Sequence, residues 1–259
     1  VLWKGPAKET EYTRQIEIIE DYLAQGVDAF VIAPTEQNAL VPVVEKIAAT
    51  GKPVIIFDSG IETDKYQSFV ATDNKVGGSL AAQQLGKLLN GQGEVGMVLC
   101  APGGASTLLR EAGFRETVQK DYPGVKIVAE KFGMSDRAKS LAVAEDMLAA
   151  NKNLVAIFGS NESSTIGALN AIKNAGLVGK VKLYGFDSSE ELIQGLRDGA
   201  IDALMVQNPW EMGYQAVRFA ALSIDGNQVP RSADTGVVMV TRENLETPEI
   251  QKLLNPKLD

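Results

Sequence analysis

The sequence predicts an α/β fold of two similar doubly wound lobes, and three observations carry that prediction. Apolar strand-like runs alternate with amphipathic helical segments almost without interruption, the pattern of a parallel sheet covered by helices. Most of the runs are continuously apolar instead of alternating, as strands buried on both faces are. Residues 27–59 and 154–188 also echo one another. Each runs strand, acidic turn, helix and second strand, and each second strand closes on Phe-Asp-Ser, at 57–59 and 186–188.

The elements follow in order. Val1-Leu2-Trp3 reads as a strand already in progress, ahead of a loop and a helix from about Glu11. A doubly wound lobe opens on a central strand and its helix, so a first strand–helix unit is expected to be missing from the residues given. Ile16, Ile19 and Leu23 share one helical face. Strands are expected at 29–33 and 53–57, flanking a helix that aligns Leu40, Val43, Val44 and Ile47. Gly91-Gln-Gly93-Glu-Val-Gly96 matches the dinucleotide pattern on paper, yet it precedes a strand where that motif must join strand to helix, so a loop is expected. Further strands are read at 94–100, 126–130, 154–158, 181–186 and 203–206, with a helix whose Leu141, Ala144 and Leu148 align. Gly26, Gly51 and Gly176 follow three helices where a left-handed cap is wanted.

Bulk properties narrow the function. The 259 residues suffice for two modest domains or one large one, and a hydrophobic share of 45% is that of an ordinary globular protein. A formal charge of −8 argues against nucleic acid as partner, since phosphate contacts need concentrated Lys and Arg. No run reaches the roughly 18–20 apolar residues of a membrane span. No charged-then-apolar leader opens the chain, so any export signal is expected to have been cut away or left out. The single cysteine, Cys100, cannot form an internal disulfide and is expected to be a buried strand thiol. Histidine is absent, which removes the commonest general base and transition-metal ligand. No metal and no cofactor are expected.

Four apolar runs end in a polar side chain that is no ready nucleophile: Asp58, Asn161, Asp187 and Gln207. Ligands bind at the carboxyl ends of strands in open α/β sheets, and these four groups suit a neutral, hydroxyl-rich molecule. Asp58 and Asp187 could instead be read as paired glycosidase carboxylates. Recognition needs no perturbed acidity whereas a general acid does, so binding without catalysis is the simpler role. For either aspartate alone the alternative is a cap on the next helix. The turn Ala101-Pro-Gly-Gly-Ala-Ser106 opens a helix and could offer amides to ligand oxygens, or serve as a plain connection. Arg110 reaches the ligand or pairs with a carboxylate; both readings stand. Trp3 and Trp210 are assigned to packing, and Met134 and Ser135 are weaker pocket candidates.

Taken together, Ile-Ala-Pro-Thr (32–35), Pro-Val-Ile-Ile-Phe-Asp (53–58), Ala-Thr-Asp-Asn-Lys-Val-Gly-Gly (71–78), Arg-Glu-Ala-Gly-Phe (110–114), Asn161-Glu with Gly167-Ala-Leu, Gly-Phe-Asp (185–187) and Val-Gln-Asn-Pro (206–209) resemble the periplasmic solute-binding proteins of the ribose-binding type, sugar receptors of ATP-driven importers. The similarity runs along essentially the whole chain. It implies the type I periplasmic binding fold, two lobes joined by three crossovers near Asp73, near Gln207 and Asn208, and near Thr235 and Gly236. It divides the chain into 1–73 plus 208–235 and 74–207 plus 236–259. It implies a pocket in the interlobe cleft, with closure by hinge motion and ligand contacts from Asp58, Asn161, Asp187 and Gln207; Ser59 and Arg110 are further candidate ligand contacts. The partners it implies are a sugar or polyol and the importer's permease subunits, met by peripheral contact at the membrane. It implies a monomer that is periplasmic or lipid-anchored outside the cytoplasmic membrane. Two departures set the ligand apart from ribose. Ser59 stands where ribose receptors follow the aspartate with arginine, and the ribose-gripping helix arginine falls on Leu108, leaving Arg110 nearby. An aromatic pocket position also falls on Ser135. The nearest alternative is the effector domain of a lactose-repressor-type regulator, and a carbohydrate-active enzyme is a third reading.

Overall fold

Among residues 1–256, which the computed structural model describes, strands and helices alternate as the hydrophobic pattern dictates. The end of the predicted 236–259 segment, residues 257–259, lies outside the described residues. The first half of the chain carries α1 (Tyr12–Gln25), β1 (Phe30–Ile32), α2 (Val41–Ala49), β2 (Val54–Phe57), β3 (Ser68–Ala71), α3 (Asn74–Leu88), β4 (Gln92–Leu99), α4 (Ala105–Asp121) and β5 (Gly124–Phe132). The second carries α5 (Arg137–Ala150), β6 (Leu154–Gly159), α6 (Glu162–Asn174), β7 (Lys182–Phe186), α7 (Glu190–Arg197), β8 (Ala203–Gln207), α8 (Pro209–Ile224), β9 (Ser232–Asp234), β10 (Val237–Val240) and α9 (Pro248–Leu254). Two units result. The first comprises Val1–Asp73, Pro102–Ser106 and Asn208–Gly236; the second comprises Asn74–Ala101, Thr107–Gln207 and the chain from Val237 onward.

In the first unit β1, β2, β3 and β9 form a parallel sheet in that order. Successive side chains of a strand face opposite ways, and β2 shows why its sequence is continuously apolar. Val54 and Ile56 pack with Val43, Val44 and Ile47 of α2 and Ile19 of α1. Ile55 points to the other layer, against Ala216, Phe219 and Ala220 of α8.

The second unit holds a six-stranded sheet in the order β10-β8-β7-β6-β4-β5. Its strands are parallel except β10, which runs antiparallel to β8 and departs from the all-parallel expectation. The same two-sided logic applies. Ile157, Leu183 and Leu204 join a core with α5, α6 and α7, while Phe158, Phe186 and Met205 join one with α3 and α4. Two glycines bring α3 and α4 together: a Cβ on Gly78 would overlap the Arg110 carbonyl, and one on Gly113 would overlap the backbone of Lys75.

All seven strands expected within 29–206 form, and Gly26, Gly51 and Gly176 take φ of +79°, +79° and +66°. Two expectations are corrected, and three strands form that were not expected. Val1-Leu2-Trp3 forms no strand and is exposed, because an apolar run becomes a strand only beside a pairing partner. The glycine run 91–96 is not a loop throughout, since β4 begins at Gln92; Gly96 sits inside the strand because any side chain there would meet Met147. Finally, β3, β9 and β10 lack a strand expectation altogether. β9 is Ser-Ala-Asp, whose polarity hides it, and β3 was visible only as the start of the 71–78 motif.

Candidate functional site

The two Phe-Asp-Ser tripeptides adopt one local geometry. β2 ends at Phe57 and β7 at Phe186, and the aspartate that follows each takes a left-handed backbone, φ +63° at Asp58 and +70° at Asp187. Each then donates its amide to the neighbouring strand, Asp58 N to the Val70 carbonyl and Asp187 N to that of Met205, both at 2.9 Å. Aspartate is among the few non-glycine residues that enter this region readily.

In the second unit β4, β6, β7 and β8 lie side by side and parallel, so the residues at their carboxyl ends gather at one sheet edge. Asp187 is at the centre. Its Oδ1 accepts from Gln207 Nε2 at 2.6 Å and its Oδ2 from the Glu162 amide at 3.0 Å. Arg110 Nη1 lies 3.7 Å from Oδ2. Gln207 Oε1 is buried with no hydrogen-bond partner, and a buried acceptor of this kind calls for a donor.

Arg110 is 3% exposed, and its Nε and Nη1 are engaged. Its guanidinium lies 3.8 Å above the Phe186 ring, its Nε donates to Asn74 Oδ1 at 2.7 Å and its Nη1 to the Ser160 carbonyl at 3.1 Å. The carboxylate beside Arg110 is that of Asp187. Asn161 caps α6, accepting from the Ser164 amide at 3.1 Å, while its Nδ2 donates to Ser163 Oγ at 3.1 Å. Gln207 and Arg110 thus both meet Asp187, and Asn161 stands beside them through its neighbours Ser160 and Glu162.

Behind this cluster lies a carboxylate that the sequence reading passed over. Glu111 is 2% exposed, and its Oε1 accepts from Ser160 Oγ at 2.9 Å and from the Cys100 amide at 3.3 Å. Burial pushes its pKa up, opposed by the hydrogen bonds from Ser160 and Cys100 and by the charge of Arg115. Cys100 is buried, with its Sγ 2.9 Å from Ser135 Oγ. Met134 and Ser135 both take positive φ in the β5–α5 turn, +60° and +51°. Leu108 is 36% exposed.

Asp58 and Ser59 belong to the first unit. Ser59 is buried and its Oγ accepts from the Ser106 amide at 3.1 Å, so one amide of the 101–106 turn serves the fold. The Ala33–Thr35 loop is held by Gln15 of α1, which donates to the Ala33 carbonyl at 2.7 Å and accepts from the Thr35 amide at 3.0 Å. Trp3 is exposed, and Trp210 stacks on Tyr214 at the surface. Among the described residues no cluster of acidic or cysteine side chains could hold a metal ion.

Sequence reasoning missed Asn74, Glu111, Ser160 and Gln15. Asn74 and Ser160 were next to residues singled out, but their partners lie 36 and 50 positions away in sequence. No local pattern announces such pairings.

Residues 1–228 match the family model described as a periplasmic binding protein domain. Among curated proteins the chain is 33% identical over 250 residues to a D-ribose/D-allose-binding protein of Pseudomonas aeruginosa, covering 94% of this chain and 77% of that one. It is 28% identical over 235 residues to a ribose import binding protein of Bacillus subtilis, covering 91% and 75%. Among solved structures, a solute-binding protein from Agrobacterium vitis with bound D-fucose superposes with a TM-score of 0.95 at 35% identity, covering 98% of this chain and 88% of that one. A carbohydrate transporter solute-binding protein from Agrobacterium radiobacter in complex with D-arabinose gives 0.93 at 36% identity, covering 96% and 85%.

Proposed function

The chain belongs to the family of periplasmic binding protein domains, and from that premise we propose that it receives a small neutral sugar or polyol for an ATP-driven importer. The family is one of transport receptors, not enzymes, and the comparisons favour that role over a transcription regulator's effector domain. The family likewise suits a site of action outside the cytoplasmic membrane. Delivery to permease subunits, as a monomer, completes the reading.

The observation that carries it is the Asp187–Gln207 pair. A carboxylate with one oxygen on an amide and the other on a helix amide, beside a buried and unpartnered Oε1, is built to meet hydroxyl groups. We assign ligand contact to Asp187, Gln207, Asn161 and Arg110 from the second unit and to Asp58 and Ser59 from the first. Asp58 and Asp187 accept hydroxyl protons, while Gln207 accepts through Oε1. Hydrogen bonds to a charged group contribute about 1.5–3 kcal/mol each. The substitutions at Ser59, Leu108 and Ser135 favour a ligand other than ribose.

A thermal-shift screen against D-arabinose, D-fucose, D-allose, D-ribose and myo-inositol tests the reading. At least one is expected to raise the melting temperature, by ligand linkage, and Asp187→Ala is expected to lose that shift. An unchanged shift in the variant would mean that the pocket lies elsewhere.

A further inference from the structure

Arg110 and Glu111 are consecutive residues of α4, yet both reach the same residue on another element. Arg110 Nη1 takes the Ser160 carbonyl at 3.1 Å, and Glu111 Oε1 takes the Ser160 hydroxyl at 2.9 Å. Ser160 follows β6 and also accepts from the Cys100 amide, at the end of β4, through Oγ at 3.0 Å. Its own amide donates to the Val98 carbonyl at 3.1 Å. Every polar atom of Ser160 is therefore spent on fixing its position, and Ser160 is 0% exposed.

We propose that Glu111 is a positioning residue of the sugar site, holding Ser160 so that its carbonyl aims Arg110, and through Arg110 aims Asp187. The chain of contacts is continuous: Glu111 to Ser160, Ser160 to Arg110, Arg110 to Asp187 at 3.7 Å. A binding group must be held within about 0.5 Å of its productive geometry by such supporting residues. Arg110 lies over Phe186 and its Nε is held by Asn74, so the Ser160 carbonyl is the hydrogen bond that sets where Nη1 points. Burying a carboxylate is costly unless its bonds are made, and Glu111 makes its bonds to this junction. Its second oxygen faces Arg115, 3.7 Å away on the same helix, which is itself forked onto Glu130 of β5. This deepens the receptor reading and rests on it.

The test is titration calorimetry with the sugar that gives the largest shift for the wild type in the panel above. Glu111→Ala and Ser160→Ala are each expected to weaken binding about tenfold, the scale of one supporting hydrogen bond. The double variant should weaken it no further, because both act through one junction. Glu111→Gln, whose amide oxygen still accepts from Ser160 and Cys100, should restore most of the affinity. A residue with a purely structural role would lower the melting temperature and leave the dissociation constant of the folded protein unchanged. An unchanged constant in Ser160→Ala, which removes one oxygen and should fold even where Glu111→Ala does not, overturns the inference, as does additivity in the double variant. A wild type that binds no sugar of the panel overturns the receptor reading itself, a result distinct from either.

Discussion

Gln207 donates its side-chain amide to Asp187 Oδ1 at 2.6 Å while its own Oε1 stays buried without a partner. The pair joins the ends of two adjacent parallel strands, β7 and β8, and gives one residue two functions: it orients a carboxylate and presents an acceptor. Gln207→Leu removes both. The expected result is a rise in the sugar dissociation constant of about ten- to a hundredfold, or about 1.4–2.8 kcal/mol, measured by calorimetry.

Arg110 predicts a stability effect as well as a binding one. Replacing it by Met keeps apolar bulk over Phe186 but removes the bonds to Asn74 and Ser160 and the charge beside Asp187. Removing one partner of a buried ionic group costs about 3–5 kcal/mol, so Arg110→Met should lose stability on that scale in urea unfolding. A loss confined to ligand affinity would show that the guanidinium is not a structural anchor.

Asn161 separates capping from ligand contact. Its Oδ1 holds the Ser164 amide at the start of α6. Asn161→Ala should lose about 1 kcal/mol of stability, and Asn161→Asp, which keeps the cap, should lose little of it. If both variants also bind sugar about tenfold more weakly, Nδ2 contributes to the ligand beyond the cap.

Glu111 makes stability depend on pH in a stated direction. Burial raises its carboxyl above the ordinary glutamate value of 4.5, so the folded protein holds that proton more tightly than the unfolded chain does. Its favourable contribution is fully present below 4.5 and is lost as pH rises through the raised folded value. Glu111→Gln is neutral throughout. It should melt above the wild type at about pH 7, with the difference closing as the medium is acidified past the unfolded value. A gap that widens on acidification would contradict the direction of the shift.

Much of the fold was legible because burial on both faces writes long apolar runs, and most of the seven expected strands are such runs; β5, interrupted by Lys126, Glu130 and Lys131, is not. What stayed hidden is what polarity or pairing decides. β9 is three residues with exposed Ser232 and Asp234, and β10 joins the sheet edge antiparallel. At the site, Asp58 and Asp187 were legible because one tripeptide recurs at two strand ends, and the structure gives both the same positive-φ turn. Glu111 and Asn74 were not, since their importance comes from partners far along the chain: Ser160 for Glu111, and for Asn74 Arg110, brought close where Gly78 and Gly113 let α3 and α4 approach. Gly78→Ala should accordingly cost about 1–3 kcal/mol of stability by overpacking, as chemical denaturation would read.

The central claim is tested most directly by calorimetric titration of the wild type and of Asp187→Ala with D-arabinose, D-fucose and D-allose. The account predicts saturable binding of at least one sugar to the wild type and none to the variant at the same concentrations. Equal binding by the two proteins, or no binding of any sugar by the wild type, would contradict it.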